Sequence, residues 1–498
     1  MIAGLSGDWL AARARTTPKA TAVITHEAAW TYGELDLRVQ QFASQLRPYT
    51  KMGGRIAALL ANNIDYACLI HAAARVGAVL VPLNTRLSAK EIEWQLQSAR
   101  CQLLVFDQAT AVKAGEIKID GLKMLAAASL SAGHLAEDDQ PAPVLDMDRD
   151  QAIIFTSGTT GKPKGARLTF ANHFYSATAS AWRLGVLPHD RWLCCLPLYH
   201  VGGMAILLRS CLYGTAVELH DGFDAAAVSE SLDTREVTIV SLVPTMLHRL
   251  LRYRDGRAWP ESLRHVLLGG AAAPHEIIAA SRDLGIPISA TYGLTEASSQ
   301  VATLLHEEIY QKPGSVGKPL LFTRVAITDD AGRKTLPMTT GEIIVSGPTV
   351  MAGYDGDAQS TAEVLHDGWL HTGDVGYLDE DGDLWVLQRK NDIIISGGEN
   401  VYPAEVESVL RSHPAVAAAC VVGIPDEEWG QRVAAAVVLA EPEKIKAEAL
   451  LDYCRQSLAG YKLPRRVVFL KNLPQTASGK IQRSAVAELV AERVQTQQ

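Results

Sequence analysis

Short apolar runs separated by helical patterns recur through most of the chain, at residues 55–60, 78–83, 103–106, 152–155, 237–240 and 265–270. Runs this brief that lack polar alternation suit strands covered on both faces. Alternating such strands with helices constrains the chain to an α/β architecture. Ser88 and Glu91, three residues apart, have the spacing of a capping box opening one of those helices.

After about residue 322 the texture changes to short strands with Gly and Asp turns, as at 341–345 and 379–386. Near residue 390 an α+β pattern begins, with a helix after Pro403, strands at 416–422 and 433–439, and a helix over 447–458. The expected organisation is a large N-terminal domain, 1–390, of α/β subdomains plus a small β-rich subdomain at about 323–390. A small α+β C-terminal domain, 391–498, follows, with the boundary within 388–392.

Directly behind the apolar run 152–155 stands Thr-Ser-Gly-Thr-Thr-Gly-Lys-Pro-Lys-Gly, residues 156–165. Its glycines let a backbone approach an anion closely. Thr156, Ser157, Thr159 and Thr160 offer hydroxyls, and Lys162 and Lys164 offer charge. A polyphosphate is the expected ligand. The loop is not a Walker A motif: Thr156 replaces the first glycine, and Pro163 stands where a Ser or Thr would reach magnesium.

Tyr292 offers a flat face for a base, Thr295 a hydroxyl for a phosphate oxygen, and Glu296 a hard oxygen ligand. Asp374 and Arg389 suit the hydroxyls of a ribose, and Lys480 closes a loop before the last helix. In sequence order these segments, with 393–407 and Gly479-Lys480, resemble the adenylate-forming superfamily of acyl-CoA synthetases, adenylation domains and firefly luciferases. The resemblance runs from Trp30-Thr31-Tyr32-Gly33-Glu34-Leu35 to Lys480.

The resemblance implies an enzyme that joins a small-molecule carboxylic acid to AMP, releasing pyrophosphate from ATP, and then passes the acyl group to coenzyme A. It implies that Lys480 bridges the carboxylate and the α-phosphate, and that Glu296 and Thr156 hold Mg²⁺. Ser157, Gly158, Thr159, Thr160 and Lys164 grip phosphates, while Tyr292, Gly293, Thr295, Asp374 and Arg389 hold the nucleotide. It also implies a mobile C-terminal domain hinged at Asn391, where a charged residue is usual, with Gly397 and Gly398 beside the pantetheine path.

The acid is expected beside His200, which the resemblance puts among the catalytic residues at the mouth of the acyl tunnel. Arg209 interrupts an apolar helix nine positions later, and a buried guanidinium calls for an anionic partner, such as a second carboxylate on the substrate. Thr245, Gly270, Ser298, Ser299 and Gln300 complete the candidate pocket. Within the superfamily the resemblance is nearest to the acid–CoA ligases of menaquinone biosynthesis, although Arg209 stands where those enzymes carry a lysine. Their acid bears a keto-linked succinyl chain; other aryl- or fatty-acyl-CoA synthetases, or a non-catalytic nucleotide binder, are the alternatives.

A net charge of −8 and a pI near 6.0 argue against a nucleic-acid partner. No apolar stretch reaches the roughly 20 residues of a membrane span, and the N-terminus lacks a basic segment followed by an apolar one. A cytoplasmic enzyme with reduced cysteines is expected, and assembly into homo-oligomers is left open.

Overall fold

The computed structural model describes residues 8–131, 146–156, 163–271, 275–389, 392, 394–396, 399–401, 403–426, 430–440, 445–456, 458, 460–475 and 481–495. The chain divides into two compact units. Residues 1–326, 344–371 and 379–384 form the first, and residues 327–343, 372–378 and 385–498 the second.

The first unit holds two sheets. In one, strands Lys123–Ala126, Leu103–Phe106, Arg55–Leu59, Val79–Pro82 and Asp150–Thr156 run parallel in that spatial order, and Lys164–Thr169 closes the edge antiparallel. Ile56, Ala57, Ala58 and Leu59 are wholly buried, so successive residues are covered on both faces. Ser88 and Glu91 do form the reciprocal cap of helix Ala89–Ser98, an arrangement worth about 1 kcal/mol.

The other sheet orders its strands as Ser315–Pro319, Ser299–Leu304, Ile288–Leu294, His265–Leu268, Ile239–Leu242, Arg191–Cys194, Ala216–Leu219, Thr21–Ile24 and Ala29–Thr31. From Ile288–Leu294 to Thr21–Ile24 the neighbours are parallel; Ile288–Leu294 then folds back antiparallel on Ser299–Leu304. The strand expected at 237–240 is Ile239–Leu242. Thr238 Oγ1 instead donates to Asp190 Oδ1 at 2.8 Å and accepts from the Arg191 N–H at 3.0 Å, fastening the approach to the strand.

This topology gathers the candidate residues of the first unit at one kind of position. Thr156 ends a parallel strand, Gly270 follows another, His200 follows Arg191–Cys194, and Tyr292 to Glu296 terminates Ile288–Leu294. The carboxyl ends of parallel strands are where open α/β sheets bind ligands.

In the second unit, strands Val416–Asp426 and Gly430–Leu439 form an antiparallel hairpin longer than the sequence pattern suggests, joined by Ile394–Ser396, Glu399–Val401 and Arg466–Phe469. Helices Pro403–Arg411 and Ala447–Arg455 cover one face through Val406, Leu410 and Leu450, and helix Arg483–Gln495 the other through Val486 and Val490. All seven cysteines are unbonded. Among the described residues no helix is long and apolar enough to cross a membrane.

Candidate active site

The glycine-rich loop is held at both ends. Thr156 is paired with Lys164 across antiparallel strands, and Ser157, Gly158, Thr159 and Thr160 between them lie outside the described residues. Thr156 Oγ1 donates to Glu296 Oε1 at 3.2 Å, and the Tyr354 hydroxyl donates to the same oxygen at 3.0 Å. Lys164 Nζ lies 5.3 Å from the centre of the Tyr354 ring. Two residues 140 positions apart, both candidate metal ligands, are therefore in direct contact. A hydroxyl and a carboxylate side by side fit Mg²⁺, which takes one or two protein oxygens and leaves its other positions to water and phosphate.

Glu296 is presented by a tight turn. Strand Ile288–Leu294 ends, Thr295–Ala297 make one 3₁₀ turn, and Ser298 and Ser299 adopt φ of 55° and 91° before the chain returns. Gly293 is required here, because a Cβ would stand 1.6 Å from the Ser299 carbonyl oxygen. The turn is anchored on three sides: Met351 N–H donates to Glu296 O at 2.8 Å, Ser176 Oγ to Ser298 O at 2.7 Å, and Ser298 Oγ to Thr349 O at 2.8 Å. The Ser298 hydroxyl thus spends its proton within the protein. Gln300 is buried; its amide nitrogen donates to Thr303 Oγ1 at 3.3 Å, and its Oε1 has no partner among the described residues. Tyr292 and Thr295 are half-buried on the same hairpin.

His200 is the N-cap of helix Val201–Tyr213, with its ring edge-on to Tyr199 at 4.7 Å. Arg209, on that helix, is 2% exposed. Its Nη2 donates to Ser176 Oγ at 3.1 Å and its guanidinium lies 5.9 Å from the Trp192 ring centre, while Nε has no partner and no carboxylate reaches it among the described residues. Burial lowers its pKa from the usual arginine value, as expected for a cation held without a counter-ion.

His173 is 3% exposed, its Nε2 has no partner among the described residues, and burial, then the charge of Arg209, pushes its pKa down to about 3. His173 and Ser176, three residues apart on helix Phe170–Leu184, thus present a neutral imidazole and a hydroxyl beside the cation. Neither stands out in the sequence: the same helix also buries Asn172 and Ser180, so a polar residue on its inner face marks no site by itself. Thr245 stands exposed in the first turn of helix Pro244–Arg254. Gly270, with φ of 81°, lies against Val243, the residue that caps that helix.

Asp379, Asp381 and Asp383 also converge, but Lys312 Nζ sits 2.9, 2.7 and 2.6 Å from their oxygens and already supplies the cation.

In the second unit Asp374 is 7% exposed and follows Gly373, which has φ of 71°. The Asp374 N–H donates to Thr372 Oγ1 at 3.0 Å, and that hydroxyl donates to Ile343 O at 2.7 Å. Arg389 ends strand Leu384–Arg389. Asn391, Gly397, Gly398 and Lys480 lie outside the described residues. Around the glycine pair Ser396 faces Glu399, and before the last helix Gln475 bridges to Ile481.

Residues 10–355 match the profile of the AMP-binding enzyme family, and residues 405–480 that of the AMP-binding enzyme C-terminal domain. The chain is 42% identical over 486 residues to 2-succinylbenzoate–CoA ligase of Bacillus cereus, covering 97% of this chain and 98% of that one. Among solved structures it resembles o-succinylbenzoate CoA synthetase of Bacillus subtilis in complex with the acyl-adenylate intermediate, with 40% identity, a TM-score of 0.90 and coverage of 96% and 97%. The same enzyme in complex with ATP and magnesium ion gives a TM-score of 0.89 at 40% identity, covering 96% and 98%.

Proposed function

The chain belongs to the AMP-binding enzyme family, and from that premise we propose that it is an ATP-dependent acid–CoA ligase converting 2-succinylbenzoate to 2-succinylbenzoyl-CoA. One carboxylate oxygen of the acid attacks the α-phosphorus of ATP, the bond to the departing oxygen breaks, and pyrophosphate leaves. The acyl carbon of the resulting adenylate is then attacked by the sulfur of CoA; its bond to the AMP oxygen breaks, and the thiol proton passes to solvent.

The residues divide this work. Glu296 and Thr156 would hold Mg²⁺, which when bound would offset the charge of the phosphates. Residues 157–160 and Lys164 grip the phosphates that depart. Tyr292, Gly293 and Thr295 seat the adenine and α-phosphate, and Asp374 and Arg389 the ribose. Lys480 meets the charge that builds between carboxylate and α-phosphorus, a preorganised contact worth roughly 3–4 kcal/mol. His200 lines the acyl channel, and Gly397 and Gly398 admit pantetheine. Residues 391–498 turn about Asn391 between the two steps, as a small domain separate from 1–390. The reaction belongs in the cytoplasm, where ATP and CoA are available.

The observation that carries the choice of acid is Arg209, a buried guanidinium with no acidic partner among the described residues. A second carboxylate on the substrate supplies the missing charge, with Ser176 and the neutral His173 beside it. Pyrophosphate release with ATP, Mg²⁺ and CoA, measured across 2-succinylbenzoate, analogues lacking either carboxylate, benzoate and fatty acids, tests this reading. The highest kcat/KM is expected for 2-succinylbenzoate; equal or faster turnover of a monocarboxylate would reject it.

A further inference from the structure

Arg483 ties three stretches of the second unit together. Its Nη1 donates to Glu407 Oε1 at 2.5 Å and to the Val421 carbonyl at 2.7 Å, its Nη2 donates to Glu407 Oε2 at 3.1 Å, and its Nε faces Asp392 Oδ2 at 3.3 Å. Glu407, on helix Pro403–Arg411, is 6% exposed and also accepts from the Val421 N–H at 2.8 Å. The carboxylate is thereby fixed from two sides by strand and helix.

The position of Arg483 gives the network its interest. It opens the last helix, immediately after Ile481, which bridges to Gln475, and Gln482, whose N–H donates to Pro474 O at 2.9 Å. Both flanks of the segment 476–480 are therefore attached to one base, and Arg483 attaches that base to Asp392, the residue directly after Asn391. The last helix is already anchored by apolar packing, through fully buried Val486 and Val490 with Ala487 and Ala491 partly buried beside them. Desolvating a guanidinium and a carboxylate is costly, and what the pair adds over apolar packing is orientation.

We propose that Arg483 is a positioning residue for Lys480: by gripping Asp392, Glu407 and Val421 together, it ties the start of the last helix, three residues after the lysine, to the residue directly after the hinge. The inference rests on the assignment of Lys480 to adenylate formation.

The test separates the two half-reactions in the full-length enzyme, measuring acid-dependent pyrophosphate release without CoA and thioester formation from preformed acyl-adenylate. Lys480→Ala serves as the reference. The double variant Arg483→Met with Glu407→Gln leaves no buried carboxylate unpaired, and Arg483→Lys keeps the charge while losing the two-pronged contact. Adenylate formation is expected to fall about a hundredfold in the double variant, as for a misplaced catalytic group, and by less in Arg483→Lys. KM for ATP and acid should stay within about threefold, and thioester formation should be largely spared. Equal loss of both half-reactions in step with lost thermal stability, or unchanged adenylate formation, would overturn the positioning role. Adenylate formation that survives Lys480→Ala would overturn the lysine assignment itself, and the positioning role with it.

Discussion

Arg209 places a charge in the protein interior with no acid among the described residues to meet it, and the consequence should be measurable with and without substrate. Arg209→Met removes the desolvated cation and keeps most of its volume, so the unliganded variant should be more stable by about 1–4 kcal/mol in urea denaturation. The same change should raise KM for the dicarboxylate about 10- to 100-fold, the loss of a charge-assisted contact, while leaving a monocarboxylate analogue unaffected. Unchanged discrimination between the two acids would remove Arg209 from recognition. The sequence exposed Arg209 because a lone cation in an apolar helix is visible locally. It hid His173 and Tyr354, whose meaning depends on partners brought from afar: Tyr354 reaches Glu296 across 58 positions.

At the level of the element, the hairpin from Ile288 to Leu304 carries Tyr292, Thr295, Glu296 and Gln300 on one short piece of chain. Gly293→Ala would set a methyl 1.6 Å from the Ser299 carbonyl, forcing the strands apart. The expected result is a loss of roughly 2–3 kcal/mol in stability, in the range of other overpacked sites, and a fall in adenylate formation with weaker ATP binding; wild-type kinetics would show that the turn does not set the position of Glu296. Buried parallel strands were legible because they print continuous apolar runs. The antiparallel return through Ser298 and Ser299 was not, since positive φ at two serines carries no composition signal. The hairpin of the second unit was read too short for a related reason: Pro425 and Asp426 look like a turn, yet they remain paired with Gln431 and Gly430.

Across the whole molecule, buried histidines set a limit on the acid side. His71, His173 and His265 are all buried, and their pKa values lie at about 4, about 3 and about 4 against an ordinary 6.5, desolvation being the main cause each time. Below pH 6.5 the unfolded chain takes up protons that the native protein does not. Stability is therefore fully present above that pH and is lost as pH falls toward 4, by about 1.4 kcal/mol per pH unit for each histidine. Urea midpoints taken from neutral pH down to about pH 5 should show this fall, and His173→Gln should reduce its slope by about one proton; a flat profile would contradict the burial of neutral imidazoles. Chemistry in two steps is read directly by mass spectrometry of the purified enzyme with ATP, Mg²⁺ and 2-succinylbenzoate, before and after CoA is added. The acyl-adenylate and pyrophosphate are expected without CoA, then 2-succinylbenzoyl-CoA and AMP in equal amounts once CoA is present. ADP in place of AMP, or no adenylate before CoA, would contradict it.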